Sequence, residues 1–158
     1  MKELKKIMAA IDFSDYSLEV METCEMLCRK IGAELVLVNV INQKELNAIK
    51  ALERFLGDRI SIEDVVNKQK LERTDRMHIL IQQFGIKDIA YTIVFRVGIP
   101  YEELIKVAED EEAQLVVIGP KGRSDVPGIL LGSSAEKLFR HCPVPILSLR
   151  GTQHSRAK

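Results

Sequence analysis

Three glycines and the serines that follow them have the spacing in this sequence that points most directly to chemistry. Gly119, Gly122 and Gly132 are separated by two and then nine residues, and Ser133 and Ser134 come directly after the last of them. The apolar run Leu115-Val116-Val117-Ile118 leads into Gly119, and a helical pattern opens after Gly132. A strand, a glycine loop and a helix start, in that order, let the main chain approach a ligand closely, because glycine carries no Cβ. The first N–H groups of a helix lack partners within it and sit at the positive end of its dipole, so anions are stabilised there. A phosphate site built from Gly119, Gly122, Gly132, Ser133 and Ser134 is therefore expected, with the serine hydroxyls as additional donors. Lys121 and Arg123 would either neutralise phosphate charge or stand as solvated loop charges. For any one glycine alone, turn geometry without a ligand is the plain alternative.

The loop is neither of the two best-known phosphate motifs. It contains no G-x-x-x-x-G-K-S/T and no G-x-G-x-x-G. A second chemical candidate is Asp12, at the C-terminal end of the apolar run Ile7 to Ile11, because open α/β sheets place ligands at the carboxyl ends of their strands. Other candidates are weaker. Asp12 and Asp15 are separated by two residues, not by the single residue of an aspartyl-phosphate motif. Cys24 and Cys28 share a helical face, but so do Met21 and Leu27, which favours packing over metal or redox work. His141 and Cys142 are adjacent only in sequence, and His78 and His154 have no metal-ligand spacing to a partner. No Ser–His–Asp arrangement is suggested.

The elements that must position these residues alternate along the chain. Strands are expected at Ile7–Ile11, Leu35–Ile41, Ala90–Val97, Leu115–Ile118 and Val144–Leu149. Between them, Val20, Met21, Cys24, Leu27, Cys28 and Ile31 recur at helical spacing, with Ser14 or Asp15 as the cap and Gly32 as the stop. A short helix fits Lys44–Leu56, ended by Gly57-Asp58, and a longer one fits Ile62–Phe84 with Gly85 beyond it. The inner stripe of the longer helix (Val66, Met77, Leu80, Ile81, Phe84) is interrupted by the polar stretch Asn67 to Arg76. Pro100 suits a helix first turn whose face is Tyr101, Leu104, Ile105 and Ala108. The last helix is expected to turn Leu131, Ala135, Leu138, Phe139 and Cys142 inward. Alternation of this kind implies an α/β fold, a parallel sheet with helices on both faces. Pro143 and Pro145 place the fifth strand at an edge, where a missing N–H is tolerated.

Composition narrows the class of function. The 158 residues suit one domain over 1–150, with a polar tail at 151–158 expected to fray. Lysines plus arginines equal aspartates plus glutamates at 23 each, so the charge balance favours neither nucleic acid nor an anionic membrane. No apolar run approaches the roughly 20 residues that span a bilayer. The N-terminal lysines are not followed by a long apolar segment, so a signal peptide is not expected. Three cysteines in a chain of this length do not suggest a disulfide framework, and the cytoplasm is the expected compartment.

With these residues in hand, the glycine spacing resembles the nucleotide-binding signature of the universal stress protein family, in which Ser or Thr follows the third glycine. The resemblance extends to Ala10–Ser17 as the opening strand and turn, Gly98–Glu102 as the third crossover, and Gly132–Leu147 as the terminal helix and strand. It implies a Rossmann-like five-stranded parallel sheet of order 3-2-1-4-5, which places Asp12 and the Gly119 loop at opposite lips of one crevice between strands one and four. It implies a stress-response or signalling protein that binds an adenine nucleotide, ATP first among them. Asp12 would then bind ribose hydroxyls or adenine edges, or hold Mg2+ near the phosphates, or serve only as a turn residue. Val40 matches the position that packs on adenine, and is equally a plain core residue. The resemblance also implies a homodimer through the edge strand Val144–Leu149, and at most weak ATP hydrolysis or autophosphorylation at Ser133 or Ser134; no dedicated catalytic constellation is seen. A dimeric interaction module with an empty or vestigial site is the alternative. Three departures stand out. Pro120 removes an N–H beside the cradle, Lys121 stands where histidine is frequent, and Asp125 adds an anion to the loop.

Overall fold

Apolar runs rich in β-branched residues form the centre of the molecule, because a strand buried on both faces needs no polar alternation. The computed structural model describes residues 3–57, 59, 61–120 and 131–150, with Leu56 described by its backbone alone. In chain order the elements are β1 (Lys6–Ala10), α1 (Tyr16–Ile31), β2 (Glu34–Asn42), α2 (Gln43–Leu56), α3 (Ile62–Gln83), a 3-10 turn (Ile86–Asp88), β3 (Tyr91–Gly98), α4 (Pro100–Asp110), β4 (Leu115–Ile118), α5 (Ser133–His141) and β5 (Ile146–Ser148). The five strands form one parallel sheet of order β3-β2-β1-β4-β5, as expected. Both β1 and β4 are interior, and β5 lies at an edge.

Strand alternation divides the core into two layers. Ile7, Ala9, Ile11, Leu35 and Leu37 pack with Val20, Met21 and Cys24 of α1 and Met77 and Ile81 of α3. Met8, Val36 and Val38 pack on the opposite face with Leu104 and Val107 of α4 and Leu138 of α5. Burying each large aliphatic side chain stabilises the fold by about 1.5–3 kcal/mol before its lost conformational entropy is counted. Gly32 and Gly57 end α1 and α2 in the left-handed conformation, at φ 69° and 70°, which an L side chain adopts only with strain.

Several expectations are corrected. Neither Ser14 nor Asp15 caps α1 through its side chain: Asp15 is the N-cap without such a bond, and Asp12 takes over the turn. Ile31 is 45% exposed at the end of α1, where the helix runs past the layer that covers it. In α5 the buried stripe is Ala135 and Leu138; Phe139 lies on its flank and Leu131 precedes the helix, and both are exposed. The strand β5 is shorter than expected, because Pro143 and Pro145 have no N–H to contribute and pairing begins at Ile146. The polar stretch of α3 does not interrupt its inner stripe: Arg73 is buried in line with Met77, Leu80 and Ile81. The tail 151–158 lies outside the described residues. Among the described residues, no helix is long and apolar enough to cross a membrane.

Candidate functional site

The carboxyl ends of β1 and β4 diverge because the helices that follow them leave on opposite faces of the sheet, the arrangement that opens a crevice in α/β folds. A cavity of about 420 Å³ occupies that position, within the range typical of small-molecule sites. Asp12, Val40, Gly119, Gly132, Ser133 and Ser134 all line it. Thus six of the eight residues singled out from the sequence converge on one cavity. The other two, Gly122 and Arg123, lie outside the described residues, as do Lys121 and Asp125.

One lip is built by main chain. β4 ends at Ile118, Gly119 follows, and Pro120 is buried, its carbonyl accepting the Gly132 N–H at 3.0 Å. This bond ties the residue after Gly119 to the start of α5. It also uses the Gly132 N–H, so Gly132 is a cap and a close-approach point but not a phosphate donor through that group. Gly132 is the N-cap of α5 at φ −67°, and its carbonyl accepts the Glu136 N–H at 3.0 Å. Ser133 and Ser134 form the exposed first turn, where N–H groups lack acceptors within the helix and the dipole is positive. Backbone and hydroxyl donors there suit an anion.

The other lip is built by side chains. Asp12 Oδ1 accepts the Ser14 N–H at 2.9 Å and the Ser17 hydroxyl at 3.1 Å, which makes Asp12 the turn residue that shapes the start of α1. The turn role and the crevice position belong to the same carboxylate. Phe13 holds a positive φ of 62°, unusual for a bulky residue, while the Arg76 guanidinium stacks 4.4 Å from its ring centre and donates to its carbonyl at 3.4 Å. Val40 is half-buried and its side chain belongs to the α4–α5 layer.

Sequence reasoning missed three members of this lip. Asn39, 1% exposed, donates from Nδ2 to the Ile11 carbonyl at 2.7 Å and accepts from Arg73 Nη1 at 2.8 Å. Arg73 also approaches the Val40 carbonyl at 3.4 Å and Glu45 at 3.8 Å. Asn39 and Glu45 line the cavity themselves. The available signal was an asparagine inside the apolar run Leu35 to Ile41, since a buried amide requires partners.

The thiols are remote from this chemistry. Cys24 and Cys28 are buried in the α1 core layer. Burial first, and the charge of Glu25 second, push the Cys28 thiol up to about 11, and burial pushes Cys24 up as well. Neither is a thiolate near neutral pH, so neither has the character of a reactive cysteine. Among the described residues, no group of three or more His, Cys, Asp or Glu could hold a metal ion.

Fold and crevice together describe a doubly wound α/β protein with one cavity lined by the first turn of α5 and by Asp12. A sequence model of the Universal stress protein family matches residues 3–150, and the chain belongs to that family. Universal stress protein MJ0577 of Methanocaldococcus jannaschii is 28% identical, over 92% of this chain and 94% of its own. The solved structure of MJ0577 superposes with a TM-score of 0.81 at 24% identity, covering 96% of this chain and 99% of that one. A universal stress protein from Archaeoglobus fulgidus, solved in complex with dAMP, superposes at 0.62 with 16% identity over 93% of this chain and 98% of that one. A universal stress protein solved in complex with cAMP superposes at 0.55 with 22% identity over 94% of this chain and 98% of that one. At these identities the solved structures speak for the fold.

Proposed function

We propose that this protein binds an adenine nucleotide, with ATP as the first candidate, in the crevice between β1 and β4. The observation that carries the reading is the convergence of Asp12, Val40, Gly119, Gly132, Ser133 and Ser134 on one cavity of about 420 Å³. Gly119, Ser133 and Ser134 take the phosphates, with Gly122 and Arg123 from the same loop. Asp12 and Val40 take the nucleoside. Relatives of the same fold solved with dAMP and cAMP support the adenine assignment. Mg2+ commonly binds through one or two carboxylates together with phosphate oxygens and water, and Asp12 is the crevice carboxylate on the β1 lip that would hold it. The role that follows is a nucleotide-responsive one in stress or signalling. Calorimetric titration with ATP and AMP, after removal of any co-purified nucleotide, tests the reading; no saturable binding below millimolar concentration overturns it.

A second reading rests on the exposed edge. Among the described residues, β5 has no neighbour on its outer side, and Leu147 is 37% exposed. A second copy pairing along Val144–Leu149 would cover it, making the protein a homodimeric interaction module whatever the state of its crevice. Sedimentation of the Leu147→Lys variant tests this: a monomer supports edge pairing, and an unchanged dimer overturns it.

A further inference from the structure

We infer that Arg73, which does not itself line the crevice, is the positioning residue that makes the nucleoside end selective for a base bearing an exocyclic amino group. The inference rests on the adenine-nucleotide reading above and deepens it. Arg73 belongs to α3, a helix that follows β2 in the chain and packs on the α1 face of the sheet. Its side chain is 8% exposed, although arginine is almost never so enclosed without a structural task. From that position the guanidinium reaches Asn39 Oδ1 and the Val40 carbonyl at the carboxyl end of β2, the Glu45 carboxylate in the first turn of α2, and Gln69 Oε1 one turn back on α3.

Each contact has a chemical consequence. A guanidinium only donates, so the Asn39 oxygen must face Arg73 and its NH₂ group must face away. That NH₂ group meets the Ile11 carbonyl at 2.7 Å, one residue before Asp12. The orientation of one buried amide is therefore set by a cation, and the amide ties the ends of β1 and β2 together. The Val40 carbonyl is the next acceptor. Ile11 N–H donates to the Val38 carbonyl, so alternate carbonyls of β2 face β1; β1 ends at Ala10, and the Val40 carbonyl lies beyond the ladder. A carbonyl oxygen has two lone pairs, and Arg73 approaches with one donor. The Glu45 carboxylate, also on the cavity wall, is held on the same side by the same guanidinium. Two cavity-lining residues of the nucleoside end, Val40 through its carbonyl and Glu45 through its carboxylate, thus carry oxygen acceptors held by Arg73. Such a wall favours an amino donor on the base and disfavours a carbonyl at the same position.

Inosine triphosphate is the discriminating probe, because it carries a carbonyl where ATP carries the 6-amino group. The unsubstituted protein is expected to bind ATP at least about tenfold more tightly than inosine triphosphate, a ratio that corresponds to one well-placed polar contact. Arg73→Met should reduce ATP affinity about tenfold, leave inosine triphosphate affinity nearly unchanged, and so collapse the ratio toward one. Arg73→Lys, which keeps a charged donor, should recover part of the ratio. A purely structural role would lower the melting temperature and weaken both ligands in parallel with their ratio intact, and that result overturns the inference. If Arg73→Met does not fold, a wild-type ratio in the folded Arg73→Lys and Glu45→Gln variants overturns it equally. Failure of the unsubstituted protein to bind ATP at all overturns the underlying nucleotide reading as well, and is seen before any variant is made.

Discussion

The two lips of the crevice are made differently. The β4–α5 lip is main chain: Gly119, the Pro120 carbonyl bonded to Gly132, and the first turn of α5. Its geometry is written within a short stretch of sequence, and its donors are groups every residue carries. The β1–β2 lip is side chain: Asp12 held by Ser14 and Ser17, Asn39 held by Arg73, and Phe13 held by Arg76. Two arginines one turn apart on α3 supply its support, from more than 30 positions away in sequence. On the proposed reading, the main-chain lip takes what is common to all nucleotides, the phosphate, and the side-chain lip takes what differs, the base.

That contrast can be broken most sharply at Gly132. Gly132→Asp places a carboxylate in the anion cradle, and nucleotide affinity should fall at least about 100-fold, roughly 3 kcal/mol, while sedimentation shows the oligomeric state unchanged. Equal affinity in a calorimetric titration would show that phosphates bind elsewhere. A core change in α3 comes next. Met77→Ala, at a fully buried position, should lower unfolding free energy by about 2–5 kcal/mol in urea titration. A stable Met77→Ala protein would mean that α3 is not firmly docked and that the β1–β2 lip lacks the support described.

Smaller effects separate the lips further. Arg76→Gln removes the guanidinium stacked on Phe13 and should cost about 1 kcal/mol of stability, with ATP affinity reduced a few-fold and pyrophosphate affinity unaffected. Ser133→Ala should do the reverse at the other lip, weakening ATP and pyrophosphate alike by a few-fold, about 1 kcal/mol for one hydroxyl donor. Both are read by calorimetry with the two ligands in parallel. A control remote from both lips is the thiol pair. Burial raises Cys28 from 9.0 to about 11, so the folded state keeps a proton that the unfolded state releases. The stability this contributes is intact below pH 9 and is lost as pH rises from about 9 toward 11. Urea midpoints across that range should fall in the native protein and fall less in Cys28→Ala.

How much of this was legible in the sequence follows the same division. The glycine spacing pointed to Gly119 and Gly132, which line the cavity, because close approach by main chain depends on local order along the chain. The strands, their alternation and the edge position of β5 were legible from apolar runs and from Pro143 and Pro145. Asn39 and Arg73 were not: the apolar run around Asn39 marks it as buried without saying what it bonds, and Arg73 looks surface-bound among its polar neighbours. Arg73 fell inside a polar stretch read as an interruption, yet it continues the buried stripe by bonding to Asn39 across the layer. Phe139 erred in the other direction, since apolar character placed it inward while a nine-residue helix had room for only a narrow buried face.

The sequence by itself determined the sheet and marked Gly119, Gly132 and the start of α5 for the crevice wall, because hydrophobic periodicity and glycine chemistry act over a few residues. Membership of the universal stress protein family followed from the same short-range signals and was shown by the match over residues 3–150. Tertiary structure alone decided what faces the cradle. It brought Asn39 and Glu45 to the cavity that Asp12 and Gly119 also line, turned the Asn39 amide by placing a buried cation against its oxygen, and used α3 to hold the ends of β1 and β2. The physical reason is that a buried hydrogen-bonding group takes its orientation from its partner, and these partners meet only when the chain has folded.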